Sequence, residues 1–332
     1  MKTKHGHRAM AAAALATGMG LMLVGTVARA QAETLVLVTR VLGVKNLLAG
    51  HDLNGVSLNG AVLDGSRIAS VSATDAELDG ELLELVQVSN SRLVGYDSHG
   101  HFVAHNKMDG AIFSAVLADG DEIDVRIDDL YRDPAPKNND IYFYEASYET
   151  GEGWLPLCGV DELGEPVAAI ALDGRWDFTE GTETGGSHID DESAFTLACR
   201  GYVLAKCVEA GYKPWKKAMV CTQGEGCQMT NIEALHQACT RMLRADYCGD
   251  GTSHTVDATP VNFYDDFGVR YDSQDWAIEA EWDEEGAICA VTERISGDAP
   301  QCVDWLADAD CGDPDHFADG ALLVSEVVPA LD

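Results

Sequence analysis

The chain lacks cysteine throughout its first part and is poor in basic residues. No cysteine precedes Cys158, although ten occur among the 332 residues, and 22 Lys and Arg residues stand against 56 Asp and Glu residues. The formal charge of −34 repels phosphate backbones and anionic lipid headgroups, which argues against nucleic acid and anionic membranes as partners. The motifs G-x-S-x-G, H-E-x-x-H, G-x-x-x-x-G-K-[ST] and G-x-G-x-x-G are absent, so the common hydrolase, NTPase and dinucleotide signatures are missing.

The N-terminus has the pattern of a removed export signal. Lys2, Lys4 and Arg8 precede a small and apolar run over residues 9–27, and Ala28-Arg29-Ala30 then supplies an A-x-A cleavage site. Residues 1–30 are therefore predicted to be a signal peptide. No cysteine follows the cleavage site, so we expect a protein without a lipid anchor in the periplasm or outside the cell.

A five-residue period dominates the segment after the signal. From Leu48 to Leu93 every fifth residue is apolar, and turn-forming pairs such as Asn54-Gly55 and Asp79-Gly80 lie between these positions. A chain that turns a corner every five residues stacks its apolar column as a solenoid, and the segment resembles pentapeptide-repeat proteins, which form a right-handed β-helix. An antiparallel β-meander with accidental spacing is the alternative.

A β-hairpin is predicted to cap this repeat. Ile112–Leu117 and residues 122–127 flank Asp119-Gly120, a pair that favours a tight turn between strands. The proline-containing stretch 132–140 then reads as a linker. We therefore expect a β-solenoid-like domain with a β cap over residues 31–131.

The region after the linker holds all cysteines and all six tryptophans. An even number of cysteines in an exported chain predicts five disulfides, with a connectivity that spacing does not reveal. The cysteines assigned to these bonds are Cys158, Cys199, Cys207, Cys221, Cys227, Cys239, Cys248, Cys289, Cys302 and Cys311. A disulfide-rich domain is expected over residues 141–312, followed by an acidic C-terminal tail over 313–332.

Two helices and one strand are predicted in this second domain. Apolar residues at four-residue steps indicate a helix over 192–210 that ends at Gly211. Thr230 and Glu233 have the spacing of a capping box at the start of a second helix. Residues 276–283 alternate as a half-buried strand. The predicted fold class is a β-rich N-terminal domain, a short right-handed β-helix plus a capping β-hairpin, followed by a disulfide-rich α+β domain.

One hexapeptide carries a family resemblance. Residues 244–249, Arg-Ala-Asp-Tyr-Cys-Gly, resemble the signature of the ADYC domain of secreted bacterial proteins, and the flanking segments 154–159 and 211–215 agree with it. The resemblance covers about residues 141–302. It implies a grouping with exported proteins and assigns no chemistry.

The sequence predicts no required cofactor, and calcium is the one candidate ligand among metal ions. Asp308, Asp310, Asp313 and Asp315 crowd a short segment around Cys311, and hard cations take several carboxylate oxygens from flexible loops. Neither an EF-hand nor another calcium-loop spelling is present. An acidic surface that only binds water is the competing interpretation.

The sequence favours a non-catalytic structural or binding module over an enzyme. Trp215, Trp276 and Trp282 are the candidate ligand-binding residues, with a glycan, a peptide or a cell-surface protein as the expected partner.

The alternative is an extracellular hydrolase. Glu279 and Glu281 would project from one face of the predicted strand, as the paired carboxylates of a glycosidase require. His254 and Asp257 are a second candidate centre.

Overall fold

The computed structural model describes residues 52–53, 56–60, 63, 67–222, 226–303, 305, 311, 317 and 320–328. These residues form one compact unit that is mostly β. The side chains of residues 52–53, 219–228, 230 and 231 are not described. The predicted signal peptide and most of the predicted acidic tail lie outside the described ranges.

Twenty strands and two α-helices make up the described chain. The strands are β1 (Asp52–Leu53), β2 (Ile68–Ser72), β3 (Ala76–Leu78), β4 (Glu81–Ser89), β5 (Arg92–Asp97), β6 (Phe102–Val103), β7 (Ile112–Leu117), β8 (Glu122–Arg132), β9 (Tyr142–Thr150), β10 (Gly153–Pro156), β11 (Ala169–Asp173), β12 (Arg175–Trp176), β13 (His188–Ile189), β14 (Ala194–Cys199), β15 (Lys217–Thr222), β16 (Gly226–Asn231), β17 (Pro260–Tyr264), β18 (Ala277–Trp282), β19 (Ala287–Ala290) and β20 (Leu323–Val327). The helices are α1 (Val203–Ala210) and α2 (Glu233–Arg244). Neither described helix is long and apolar enough to cross a membrane.

Six strands close into an antiparallel barrel. In the order β2, β7, β8, β9, β11 and β14, each strand pairs with the next, and β14 pairs back with β2. Alternate side chains point inward, so in β7 Phe113 and Ala115 are fully buried while Ser114 is half-buried. Closure gives each of the six strands a partner on both sides, which removes the exposed edges of an open sheet.

The predicted β-helix is replaced by an antiparallel meander that extends the barrel sheet through β3, β4, β5 and β6. Two-residue turns join β3 to β4 and β4 to β5, and their central residues Asp79, Gly80, Asn90 and Ser91 all have positive φ. Such turns match the twist of paired strands. The apolar column of the five-residue period is buried at Leu83 and Leu93, as predicted, but in strands that reverse direction at each turn.

A second layer covers one side of the barrel. Strands β11 and β14 bury both faces: Ala169 and Ala171 face the barrel interior, whereas Ile170 and Leu172 join a second core with the two helices. That second core also takes Trp282 from a five-stranded sheet ordered β1, β17, β20, β18, β19. The helices therefore pack against both the outer barrel face and this sheet.

The predicted fold class, a β-helix domain followed by a separate α+β domain, is therefore wrong. The stretch 132–140 connects β8 to β9, which are neighbours in the barrel, and strands from both sides of it complete the same closed sheet. The predicted cap hairpin is confirmed as β7 and β8, and their registered pairs include Val116 with Glu122.

The first predicted helix, over 192–210, is half wrong. Its first part is the strand β14, because a short apolar run buried on two faces has the same pattern as a buried helix. Helix α1 begins at Val203 and ends, as predicted, at Gly211, whose φ of 120° suits glycine. Thr230 lies in β16 and does not cap α2, which begins at Glu233.

Four disulfides staple the described chain. They join Cys158 to Cys199, Cys207 to Cys239, Cys248 to Cys302 and Cys289 to Cys311. Cys221 and Cys227 are directly opposite each other in the ladder of β15 and β16, and their side chains lie outside the described residues. Four disulfides indicate an oxidising environment, periplasmic or extracellular.

Candidate functional site

The hexapeptide signature is buried and forms the turn at the end of α2. Ala245 takes the left-handed conformation that ends the helix. The fully buried carboxylate of Asp246 accepts a hydrogen bond from the Arg241 guanidinium at 2.6 Å and others from the backbone amides of Asp250 and Gly251. These contacts hold the turn after the helix and leave Asp246 without access to a ligand.

Tyr247 of the signature joins a second buried network. Its hydroxyl donates to Glu279 at 2.7 Å, and the same carboxylate accepts from Arg294 at 2.6 and 2.8 Å and from Ser325 at 2.8 Å. Burial raises the pKa of Tyr247 well above its ordinary value. The network ties α2 to the five-stranded sheet, so the role of these groups is structural.

The candidate glycosidase pair is therefore not at a surface. Glu279 is fully buried and Glu281 is 2% exposed. Strand β18 was predicted correctly, but its acidic side does not face solvent. A register shift between Ile278 and Ala280 brings Glu279 to the buried Arg294.

His254 and Asp257, the second candidate centre, each contact a different residue. His254 Nδ1 lies 3.3 Å from Asp298 Oδ1. Asp257 instead accepts a hydrogen bond from the backbone amide of Val56 at 2.8 Å. The predicted calcium ligands Asp308, Asp310, Asp313 and Asp315 lie outside the described residues.

The three candidate tryptophans have different environments. Trp282 is fully buried, with its indole N–H donated to Ser325 Oγ at 2.8 Å, so it cannot form part of a surface site. Trp276 is half-buried. Trp215 is also half-buried and forms one wall of a cleft.

This cleft has a volume of about 150 Å³. It lies where the β4–β5 turn, the end of β11, the short strands β12 and β13, the segment after α1 and the start of α2 meet. Its lining residues are Val88, Asn90, Ser91, Asp173, Trp176, His188, Pro214, Trp215, Glu233, His236 and Gln237.

The inner wall of the cleft is rigid. Trp176 packs on His188 with ring centroids 4.6 Å apart, and its indole N–H donates to Gln237 at 3.2 Å. His236 Nε2 lies 3.1 Å from the carbonyl oxygen of Leu204. Burial lowers the pKa of His236 to about 4, so this ring is neutral at pH 7. Trp176, Gln237 and the neutral His236 thus form an uncharged part of this wall.

Trp215, which also lines the cleft, is held by an ion-paired carboxylate. The Trp215 indole N–H donates to Asp140 at 3.1 Å, and Lys213 and Lys216 contact the same carboxylate at 2.6 and 2.9 Å. Burial alone would raise the pKa of Asp140, but the hydrogen bonds from the two lysines and Trp215 outweigh burial and hold it well below its usual range. The ring orientation of Trp215 is therefore set before any ligand arrives.

Acidic groups surround the mouth of the cleft. Glu233, the first residue of α2, lies 3.2 Å from His188 Nδ1, and Asp190 lies 3.9 Å from the same nitrogen. Desolvation by the surrounding atoms raises the pKa of Asp173 at the rim. The described lining contains no lysine or arginine, so the cleft suits a neutral or cationic group better than an anion.

Sequence reasoning found only Trp215 among the residues that form the cleft walls. Trp176 and His188 were missed because they are separated from Trp215 in the chain and meet through folding. Glu233 was assigned to a capping box. The spacing of Glu233, His236 and Gln237 on one helix face was the available signal.

The fold and the disulfides define a disulfide-stabilised, mostly β protein built on a six-stranded barrel. The chain belongs to the ADYC domain family, because the model of that family matches residues 105–296, more than half of the chain. The match includes the signature, both helices and the cleft residues from Asp173 to Gln237, whereas β2 and β20 lie outside it. No curated protein and no solved structure matches the chain.

Proposed function

We propose that this protein is an exported binding module that takes one sugar ring of a glycan in the cleft lined by Trp215. The observation that carries the proposal is the lining: the half-buried Trp215 ring, fixed by its hydrogen bond to Asp140, together with carboxylate and amide groups that can form hydrogen bonds. An aromatic face packs against the apolar face of a sugar ring, while carboxylate and amide oxygens accept hydrogen bonds from its hydroxyl groups.

The size and charge of the cleft support a single neutral ring. Its volume of about 150 Å³ is well below the roughly 300–1,000 Å³ of pockets for drug-sized ligands. The acidic rim disfavours phosphorylated or sulfated groups. The predicted signal peptide, together with the disulfides, supports a location where glycans of a cell surface are accessible.

Trp215→Ala is expected to weaken glycan binding at least tenfold, about 1.4 kcal/mol, because it removes the aromatic side chain that lines the cleft. Calorimetric titration of the oxidised protein with neutral trisaccharides (chitotriose, cellotriose and maltotriose) measures this. Tyr271→Ala is the control, since Tyr271 is 75% exposed and does not line the cleft. The proposal fails if none of the sugars binds, or if one binds equally well to both variants.

Hydrolysis at the same site is the second candidate function. Asp173 and Glu233 line one cleft, and burial raises the pKa of Asp173; glycoside hydrolysis uses two carboxyl groups, one of them as a general acid. Release of new reducing ends from the bound trisaccharide, abolished by Asp173→Asn, would favour this function. Binding without release would favour the module.

A further inference from the structure

We infer that His188, Glu233 and Asp190 form a site for a divalent transition-metal ion, with Zn²⁺ as the best match, at the mouth of the cleft. The three side chains can each place one ligand atom within 4.8 Å of the others. The site goes beyond glycan binding, and its test uses the metal alone.

The hydrogen bonding of His188 carries the first step. Its Nε2 lies 3.0 Å from the backbone carbonyl oxygen of Asp173. A carbonyl oxygen only accepts, so Nε2 carries the hydrogen and donates it. In the neutral ring, the lone pair is then on Nδ1.

That lone pair points at oxygen atoms. Nδ1 lies 3.2 Å from Glu233 Oε1 and 3.9 Å from Asp190 Oδ1. Two carboxylates and a lone pair repel one another unless a positive species is shared among them. A proton on Nδ1 supplies one charge, whereas a divalent ion supplies two and can be bound by all three atoms.

The positioning of His188 matches that of a metal ligand. Ligating histidines usually donate the other ring N–H to a carboxylate or a backbone carbonyl, which fixes both tautomer and orientation. Here the ring is also packed against Trp176 at 4.6 Å, and the two residues are registered partners in the ladder of β12 and β13. The imidazole is therefore held in place before a metal binds.

The carboxylates provide the adjustable part of the site. The side chain of Glu233 is 49% exposed and that of Asp190 is 98% exposed, so both can move the short distance needed for bonds of about 2.0–2.2 Å. Arg175, which lies opposite Ile189 in the ladder of β12 and β13, is paired with Asp191 at 3.0 Å. One imidazole and two carboxylates suit zinc, and three protein ligands leave a coordination position open.

Two other clusters must be separated from this site. Glu281, Cys289 and Cys311 are close together, but both cysteines are in a disulfide and cannot bind a metal as thiolates. The second group is Asp97, His99 and His101 on the exposed turn after β5. The Asp97 carboxylate already accepts hydrogen bonds from the backbone amides of His99 and His101, and its Oδ2 lies 3.0 Å from His101 Nδ1.

Calorimetric titration of the EDTA-treated, oxidised full chain with Zn²⁺ tests the inference, and Co²⁺ absorption reports the coordination of the bound ion. We expect Glu233→Gln and His188→Ala each to weaken zinc binding at the cleft by at least about tenfold. Asp190→Asn should have a smaller effect. The control His99→Ala/His101→Ala should keep the cleft binding event unchanged.

If His188→Ala does not fold, Glu233→Gln still tests the site, because Glu233 is exposed and the substitution is isosteric, so this variant should fold. Circular dichroism shows whether each variant is folded. The inference is overturned if wild-type protein binds no zinc, if binding is unaffected in Glu233→Gln, or if the only event is lost in the His99/His101 control.

Discussion

Arg294→Met is expected to lower the free energy of unfolding by about 3–5 kcal/mol, because it leaves the Glu279 carboxylate buried without its charged partner. Both side chains are fully buried and joined at 2.6 Å. Tyr247 and Ser325 would still donate hydrogen bonds to Glu279, but neither supplies a positive charge. Urea unfolding of the oxidised protein, monitored by tryptophan fluorescence, measures the loss.

The double variant Glu279→Leu/Arg294→Met separates the loss of the pair from the loss of packing. Removing both charges should recover a large part of the stability, since replacing a buried pair with apolar groups is often close to neutral. Arg175→Met is the exposed control and should cost no more than about 1 kcal/mol. A single-variant cost for Arg294→Met as small as that of the control would contradict the structural role assigned to the network.

Loss of the Cys207–Cys239 disulfide is expected to cost about 2–5 kcal/mol, because this bond is the covalent link between α1 and α2 and closes a loop of 32 residues. The double variant Cys207→Ala/Cys239→Ala removes the bond without leaving a free thiol. Both sulfur atoms lie in the core shared by the helices and the five-stranded sheet. Unfolding in urea is again the measurement.

Reduction of the wild-type protein breaks the bond but keeps the sulfur atoms, so it measures the effect of the bond apart from that of sulfur packing. Under a reductant the wild-type protein should lose all of its disulfides and become less stable than the double variant in oxidising buffer. If the double variant unfolds at the same urea concentration as the wild type, the helix pair does not depend on this staple, and the prediction is wrong.

The signature of the family marks a joint of the fold and not a binding site. Asp246 and Tyr247 are fully or almost fully buried. Asp246 accepts a hydrogen bond from Arg241, and Tyr247 donates one to Glu279. The glycine that follows is required for space: a Cβ on Gly249 would lie 1.5 Å from the carbonyl oxygen of Glu285. These residues can therefore identify the fold without indicating what the protein binds.

Local features of the fold were predictable from the sequence, and the overall arrangement was not. The Asp119-Gly120 hairpin and the end of α1 at Gly211 depend on turn chemistry within a few residues, and both were predicted correctly. The five-residue period was misread because Asp79-Gly80 suits a reversing hairpin as well as a solenoid corner. Pairing partners decide between the two, and these are distant in the chain.

The site was less predictable than the fold for the same reason. Trp215 was singled out as a large aromatic residue, but its partners in the cleft come from a β-turn, four strands and the start of a helix. The acids of β18 looked exposed because alternation alone cannot reveal a bulge or a buried arginine. Charge pairing inside the core is set by contacts such as Glu279 with Arg294, which spacing does not show.

The pairing of β1 with β17 has a consequence for how the chain folds. Val261, opposite Asp52, lies more than 200 residues later, and β20 near the C-terminus inserts between β17 and β18. Contacts between such distant residues form slowly, because a long loop must be closed before they contribute. The five-stranded sheet cannot be completed until nearly the whole chain has been made. A polypeptide with this topology therefore stays unfolded for longer after its synthesis begins than one held together by local contacts.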